Sequence, residues 1–410
     1  MLRELNQNSK RFLLSTLLFG FYFSVWELFF NLYILSLGFN KDMLGLIRAS
    51  TPLAALILGL PLGLLSDRIG RRTSMVIGLV VGFAAMLAQI RLLNPILIFL
   101  FGLIQGAAVM LYRVAQPPFI MAAVEEKNQA VVFSLNFGLL TMAGMIGNLV
   151  AGQVPGLLET WLGIPQGTAE SYQWVITAGI LIAATSLIPV FLLKEPAGEK
   201  SQNKSRIPFN TMVRKISARP LVRQLMLINL IIGFGAALLI PYLNVFLREK
   251  FAIDDTLLGL IFSLSSLLVF LGSIITPWLV KRTRSRIIPT VVTQGASVVF
   301  LFILGFSPLL WLAGVSLLLR TVLMQMSSPL VENFAMMESP PEEQGAISGV
   351  RGMGWQMGQT VGIFISGLVQ SRFGFGPLFI TTGLLYSLAI FLTWTYFRPM
   401  ERQDSDAVRI

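Results

Sequence analysis

Gly63-Leu64-Leu65-Ser66-Asp67-Arg68-Ile69-Gly70-Arg71-Arg72 separates two apolar runs, one beginning at Ala49 and the other near Met75. Asp67, Arg68, Arg71 and Arg72 place four ionisable groups within six residues. Hydrocarbon does not accept such a cluster, so the stretch reads as a very short polar turn between two membrane-crossing segments. Gly70 supplies a backbone position free of side-chain restriction for that turn. Asp67, set among three arginines, can accept charge-assisted hydrogen bonds or cap a neighbouring helix.

The rest of the chain repeats this alternation. Mean hydropathy is +0.75, and 55% of residues are hydrophobic against 12% charged. A soluble chain carries about 25% charged residues. At about 20 apolar residues per crossing, twelve spans are expected near 12–37, 43–65, 73–93, 95–121, 128–154, 172–193, 221–247, 256–280, 287–306, 308–333, 343–370 and 375–397. The basic residues are concentrated in alternate connections, which by the positive-inside rule places those connections and both termini in the cytoplasm of a multi-pass protein of the cell membrane. The net charge of +11 therefore sets orientation. No basic face interleaved with aromatics suggests nucleic acid as a partner.

Cysteine and histidine are both absent. That removes thiolate chemistry, the commonest metal ligands and the usual near-neutral proton carrier, so proton traffic would fall to a carboxylate. No cofactor and no metal site is expected, and no nucleophile–base pair, Walker loop or dinucleotide glycine motif points to an enzyme.

A single shift of 214 residues lays Leu44-Gly45-Leu46-Ile47 over Leu258-Gly259-Leu260-Ile261, the turn 66–72 over 280–286, and Ser134, Gly138 and Gly144 over Ser348, Gly352 and Gly358. One offset serving three places in order predicts a parallel tandem repeat. The expected organisation is a first six-helix bundle (1–193), a basic linker (194–220), a second bundle (221–397) and a short tail (398–410).

The pattern Gly-x-x-x-Asp-Arg-x-Gly-Arg-Arg, filled at Gly63, Asp67, Arg68, Gly70, Arg71 and Arg72, closely resembles the loop between helices two and three of the major facilitator superfamily of transporters. The resemblance implies an all-α integral membrane fold of twelve transmembrane helices in two repeated halves, working by alternating access as a monomer on a small-molecule substrate. An acid on the first span, Glu27, and an arginine at similar depth on the fourth, Arg113, look like the arrangement in proton-coupled drug antiporters of that superfamily. Proton-coupled efflux of a small amphipathic solute is the expected activity. An organic-anion or nutrient uptake carrier, or a lipid flippase, is the alternative, and a receptor on the same scaffold remains open.

Charges inside spans usually face a bundle interior or a wet cavity. Thr16, Gly20, Ser24, Glu27 and Asn31 share one face of the first span, expected to be a cavity wall. Burial favours the neutral form of Glu27 and a nearby arginine favours its carboxylate, a balance suited to a group that exchanges a proton. Asn31, Tyr112, Gln116, Asn229, Asn244, Arg320 and Gln359 are the expected substrate contacts. Arg320 has no acid at matching depth; it holds a substrate anion, is satisfied by carbonyls, or snorkels. Glu332 and Arg351 are expected to pair, and Arg48 to snorkel from near the end of the second span. The helix contacts implied by the resemblance would bring the basic turn after the second span towards Glu342 and Glu343. They would likewise bring Lys281 and Arg282 towards Glu125 and Glu126, as a gate.

Overall fold

The computed structural model describes residues 5–124, 126–195, 219–337 and 344–407. Helices occupy almost all of them, with no strand among the described residues. In chain order they are α1 (Gln7–Ser36), α2 (Lys41–Ile69), α3 (Arg71–Arg91), α4 (Pro95–Ala123) and α5 (Glu126–Leu162). α6 runs from Ala169 to Ala184 and resumes at Leu187–Phe191. α7 runs from Pro220 to Leu239, tightens to a 3-10 turn over Ile240–Tyr242 and continues as Leu243–Phe251. There follow α8 (Asp255–Thr283), α9 (Ile287–Phe306), α10 (Leu310–Met337), α11 (Gln344–Phe373) and α12 (Gly376–Ala407).

Polar caps start these helices where apolar sequence begins. Asn6 accepts from the Ser9 amide at 2.8 Å, Asn40 from Met43 at 3.0 Å, Asn94 from Ile96 at 2.9 Å and Thr168 from Ser171 at 3.2 Å. Each oxygen satisfies an amide that the first helical turn leaves unpaired. Pro95 and Pro220 occupy first-turn positions, where the missing N–H costs nothing. Pro241, inside α7, does break the ladder.

Eleven helices among the described residues are long and apolar enough to cross a membrane. α11 falls short of that measure. Its sequence is interrupted by Arg351, Gln356, Gln359 and Gln370 and by seven glycines, of which Gly354, Gly358 and Gly362 lie against α7. The repeat is visible in the helix bounds: α2 and α8 are each 29 residues long and lie 214 positions apart at both ends.

By packing, the chain divides into two units, Met1–Gln202 with Pro241–Leu267, and Asn203–Ile240 with Leu268–Ile410. In the first, α4 packs on α2 and α3, and α1 on α5 and α6. α1 meets α5 along a seam of small residues: a Cβ on Gly20 would lie 2.9 Å from Ala143 Cβ, and one on Gly147 2.6 Å from the Phe21 carbonyl. In the second unit α7 packs on α11 and α12, and α9 on α10 and α12. The α7–α11 seam is built in the same way. A Cβ on Gly354 would stand 2.6 Å from the Met226 carbonyl, and one on Gly233 2.8 Å from that of Trp355. Both seams bring backbones close through small residues, as membrane helices do.

Candidate functional site

In the first unit the face of α1 that carries the polar stripe turns out to be mostly seam. Thr16 Oγ1 hydrogen-bonds Asn136 Oδ1 on α5 at 2.7 Å, Gly20 and Ser24 lie against α5, and Asn31 is 1% exposed. The expectation of a cavity wall is therefore corrected for four of the five residues. The fifth, Glu27, departs from the seam. Its carboxylate takes a two-point grip from Arg48 of α2, at 2.6 Å from Nη2 and 3.3 Å from Nη1. Arg48 does not snorkel; its side chain is 11% exposed against 39% for Glu27. Sequence could have found the pair. Glu27 lies nine residues before the end of α1 and Arg48 seven after the start of α2, so across a short connection their depths match at 1.5 Å per residue.

Arg113 of α4 is exposed. It makes no ion pair among the described residues; its guanidinium lies 5.4 Å from the ring centroid of Phe23, one turn before Glu27. Glu27, Arg48 and Arg113 thus sum to one positive charge, with Arg113 the group whose donors are uncommitted.

The other expected contacts are largely spent on the fold. Tyr112 is 1% exposed and packs its ring 4.9 Å from that of Phe19. Gln116 is half-buried. Asn31 and Asn244 bond each other, Nδ2 to Oδ1 at 3.0 Å. Asn31 also donates to the Pro241 carbonyl, and Asn244 to that of Leu28 at 2.7 Å. In the second unit Asn229 donates to its own helix at Leu225 (2.9 Å), and Gln359 to the Gly233 carbonyl (2.9 Å). Arg320 is 3% exposed and donates to Tyr386 Oη at 3.1 Å. Glu332 and Arg351 form an ion pair, and Glu332 also accepts from Ser348 at 3.2 Å.

Sequence reasoning missed a second polar cluster, at the end of the first unit remote from the 66–72 turn. Asp255, the first residue of α8, is 0% exposed. Arg248 Nη2 at the end of α7 lies 3.1 Å from its Oδ1. Tyr172 of α6 donates to the same oxygen at 3.1 Å and accepts from Arg248 at 2.7 Å. Lys41 and Glu249 pair nearby at 2.6 Å. Charges of opposite sign sat close to the ends of successive spans, but only the turn between α7 and α8 folds Arg248 back onto Asp255.

At the 66–72 turn, Gly70 has φ +94° and ψ 152°. The side chain of Glu195, just past α6, closes over it and accepts from the Arg71 and Arg72 amides at 2.7 and 3.1 Å. Asp67 pairs with Arg71, one helical turn along the same stretch, while Arg68, Lys281 and Arg282 are exposed. A Cβ on Gly63 would meet nothing within 4 Å. Of the expected acidic gate partners, Glu125, Glu342 and Glu343 lie outside the described residues, as does the side chain of Glu126. The second unit has a corresponding cap: Glu401 of α12 accepts from Ser285 Oγ at 2.6 Å, from the Arg286 amide at 2.5 Å and from Arg398 at 2.8 Å.

The first unit thus holds apolar helices with the Glu27–Arg48 ion pair and, beside Phe23, the Arg113 guanidinium, which makes no ion pair among the described residues. A family model for the Major Facilitator Superfamily matches residues 12–363 and 225–408, and the chain belongs to that superfamily of secondary transporters. No curated protein sequence matches the chain. Among solved structures, a point mutant of the nucleoside transporter NupG is similar with a TM-score of 0.76 at 15% identity, over 96% of this chain and 100% of that one. A bacterial homologue of the human lysosomal transporter Spinster, inward-facing and unoccupied, gives 0.76 at 14% identity, over 95% and 96%. A D-xylose–proton symporter gives 0.73 at 16% identity, over 94% and 97%. At these identities the likeness is one of fold.

Proposed function

We propose that the protein is a proton-coupled carrier exporting small amphipathic solutes across the cell membrane by alternating access, with Glu27 as the group that gains and loses the proton. In this reading the protein works as a monomer with both termini in the cytoplasm, and its moving bodies are the halves 1–193 and 221–397. The basic turns, with Glu125, Glu126, Glu342 and Glu343, form the cytoplasmic gate. The observation that carries the reading is the two-point grip of Arg48 on a carboxylate that keeps 39% of its side chain exposed. A proton added to Glu27 removes the negative charge that Arg48 holds and releases a guanidinium at the same place, so protonation and local geometry are linked. A chain without histidine leaves this task to a carboxylate. The D-xylose–proton symporter among the similar structures supports proton coupling on this fold, though in the symport direction.

The unpaired charge of Arg113 favours a second reading, an organic-anion carrier, in which Arg113 holds the substrate anion beside Phe23 and Gln116. Counterflow in proteoliposomes with a mixed solute library, run with and without a pH gradient, separates the two. The first reading expects cationic or neutral amphiphiles to exchange, and Glu27→Gln to keep counterflow while losing the response to the gradient. Gradient-driven flux that survives unchanged in Glu27→Gln removes Glu27 from the coupling. Exchange confined to anions and abolished by Arg113→Gln selects the second reading.

A further inference from the structure

Glu332 of α10 and Arg351 of α11 join two helix groups of the second unit. α10 packs on α9, whereas α11 packs on α7, and the ion pair crosses from one group to the other. Glu27 and Arg48 do the same in the first unit, where α1 packs on α5 and α2 on α4. In both pairs the carboxylate is the more open member. Glu27 keeps 39% of its side chain exposed against 11% for Arg48, and Glu332 43% against 18% for Arg351. The pairs are not repeat mates, because the 214-residue shift lays Pro241 over Glu27. The device was built twice, at different places.

Glu332 lies five residues before the end of α10 and Arg351 seven after the start of α11. Ile287, Phe334 and Ile347 share one apolar cluster there, which sets the pair at the end of its unit that carries the 281–286 turn. Hydrocarbon does not accept a carboxylate, so the open part of Glu332 faces water, the source of a proton. Ser348 stands three residues before Arg351 on the same face of α11 and donates to Glu332 Oε1 at 3.2 Å. A hydroxyl donates to a carboxylate and accepts from a carboxylic acid. Ser348 therefore suits both forms of Glu332, and Arg351 only the charged one. The other charged groups on the elements around the pair are Arg223 of α7, Lys281 and Arg282 of α8, Arg286 ahead of α9, and Arg398 with Glu401 of α12. Arg223, Lys281 and Arg282 are exposed, and Arg398 and Glu401 bind each other. Glu338, Glu342 and Glu343, between α10 and α11, lie outside the described residues.

We infer that Glu332 is a second proton-exchanging carboxylate, and that its protonation unties α10 from α11 at this end of the second unit. A proton from water bonds to a carboxylate oxygen, the Arg351 contact breaks, and Ser348 turns to accept from the new hydroxyl. The inference deepens the proton-coupled reading and rests on it for the use of the proton in transport; the titration of Glu332 does not.

Reversible acid titration of the purified full-length protein in phosphatidylcholine nanodiscs tests it with two readouts. Infrared difference spectra report the carbonyl stretch of a protonated carboxyl. Spin labels at Met337→Cys and Met357→Cys, both exposed positions in a chain without cysteine, report the distance between α10 and α11. Otherwise unaltered protein is expected to gain a carbonyl band that Glu332→Gln lacks, and the label distance to widen in step with it. Glu332→Gln is expected to hold the wide distance at every pH. Ser348→Ala keeps both charges and is expected to shift the Glu332 band to higher frequency, because the acid has lost its partner. A label distance unmoved by acid overturns the inference, as does a pH response retained in Glu332→Gln. Should Glu332→Gln not fold, an unshifted band in Ser348→Ala overturns it. Glu27→Gln, run alongside, separates the two claims: a variant that keeps every band removes Glu27 from proton exchange and leaves Glu332 in place.

Discussion

The turn between α2 and α3 and the turn between α8 and α9 occupy the same place in the repeat, yet they are built differently. In the first, Gly70 takes φ +94° with ψ 152°, a region closed to residues with a Cβ. In the second, the position 214 residues on is Arg284, at φ +50°, the left-handed well that ordinary residues enter at modest cost. The first cap is Glu195, an exposed residue. The second is Glu401, with a side chain 11% exposed and held by Ser285 and Arg398 as well as by backbone. A carboxylate arriving from the sixth helix of the half and closing on the start of the third is common to both. The glycine is not. The sequence signature therefore marks one means of making the turn, whereas the underlying device is the cap.

Gly70→Ala is the sharpest way to break this comparison. Beyond backbone strain of about 1–3 kcal/mol, its Cβ would come within 3.0 Å of the Glu195 carboxylate and push the cap away. The largest drop in thermal unfolding midpoint is expected here. A variant as stable as wild type would show that the two turns are interchangeable. Glu401→Gln comes next, with an expected loss of about 1–2 kcal/mol from charge-assisted bonds in a sheltered place. Glu195→Gln, facing solvent, is expected to cost about 0.3–1 kcal/mol, and that loss should fade as salt is raised while the Glu401→Gln deficit persists. If both respond equally to salt, the difference in shelter between the caps has no energetic meaning. The smallest effect belongs to Arg284→Gly. Relief of the left-handed backbone and the greater freedom of the unfolded chain nearly cancel, leaving a change of about 0–1 kcal/mol in either direction.

Much of the fold was legible because hydrocarbon imposes a length. The expected span 287–306 coincides with α9, and the expected span 95–121 begins where α4 does. The sequence reading came up short where helices leave the apolar stretch: α1 begins at Gln7 and α12 continues to Ala407, carried by polar turns that a hydropathy argument discounts. The site was less legible. Depth along a helix follows from counting, so Glu27 and Arg113 could be set at a similar level. Rotation about the axis does not follow from depth, which is why Arg48 was assigned to the lipid edge and the α1 stripe to a cavity. Burial differs again: nothing in the residues around Arg320 announced that its guanidinium would donate to Tyr386.

The crossed amides of Asn31 and Asn244 carry a consequence for hydration. Each reaches to a main-chain carbonyl of the other helix, Asn31 to Pro241 at the break in α7 and Asn244 to Leu28 in α1. Hydrocarbon offers no substitute partner to an amide or a carbonyl. α1 and this segment of α7 can therefore part only as fast as water molecules arrive to take over, and their separation is a wetting event before it is a mechanical one. The carbonyl stretch of Pro241, labelled with carbon-13, would report that moment directly as a shift in infrared frequency when its protein donor gives way to water.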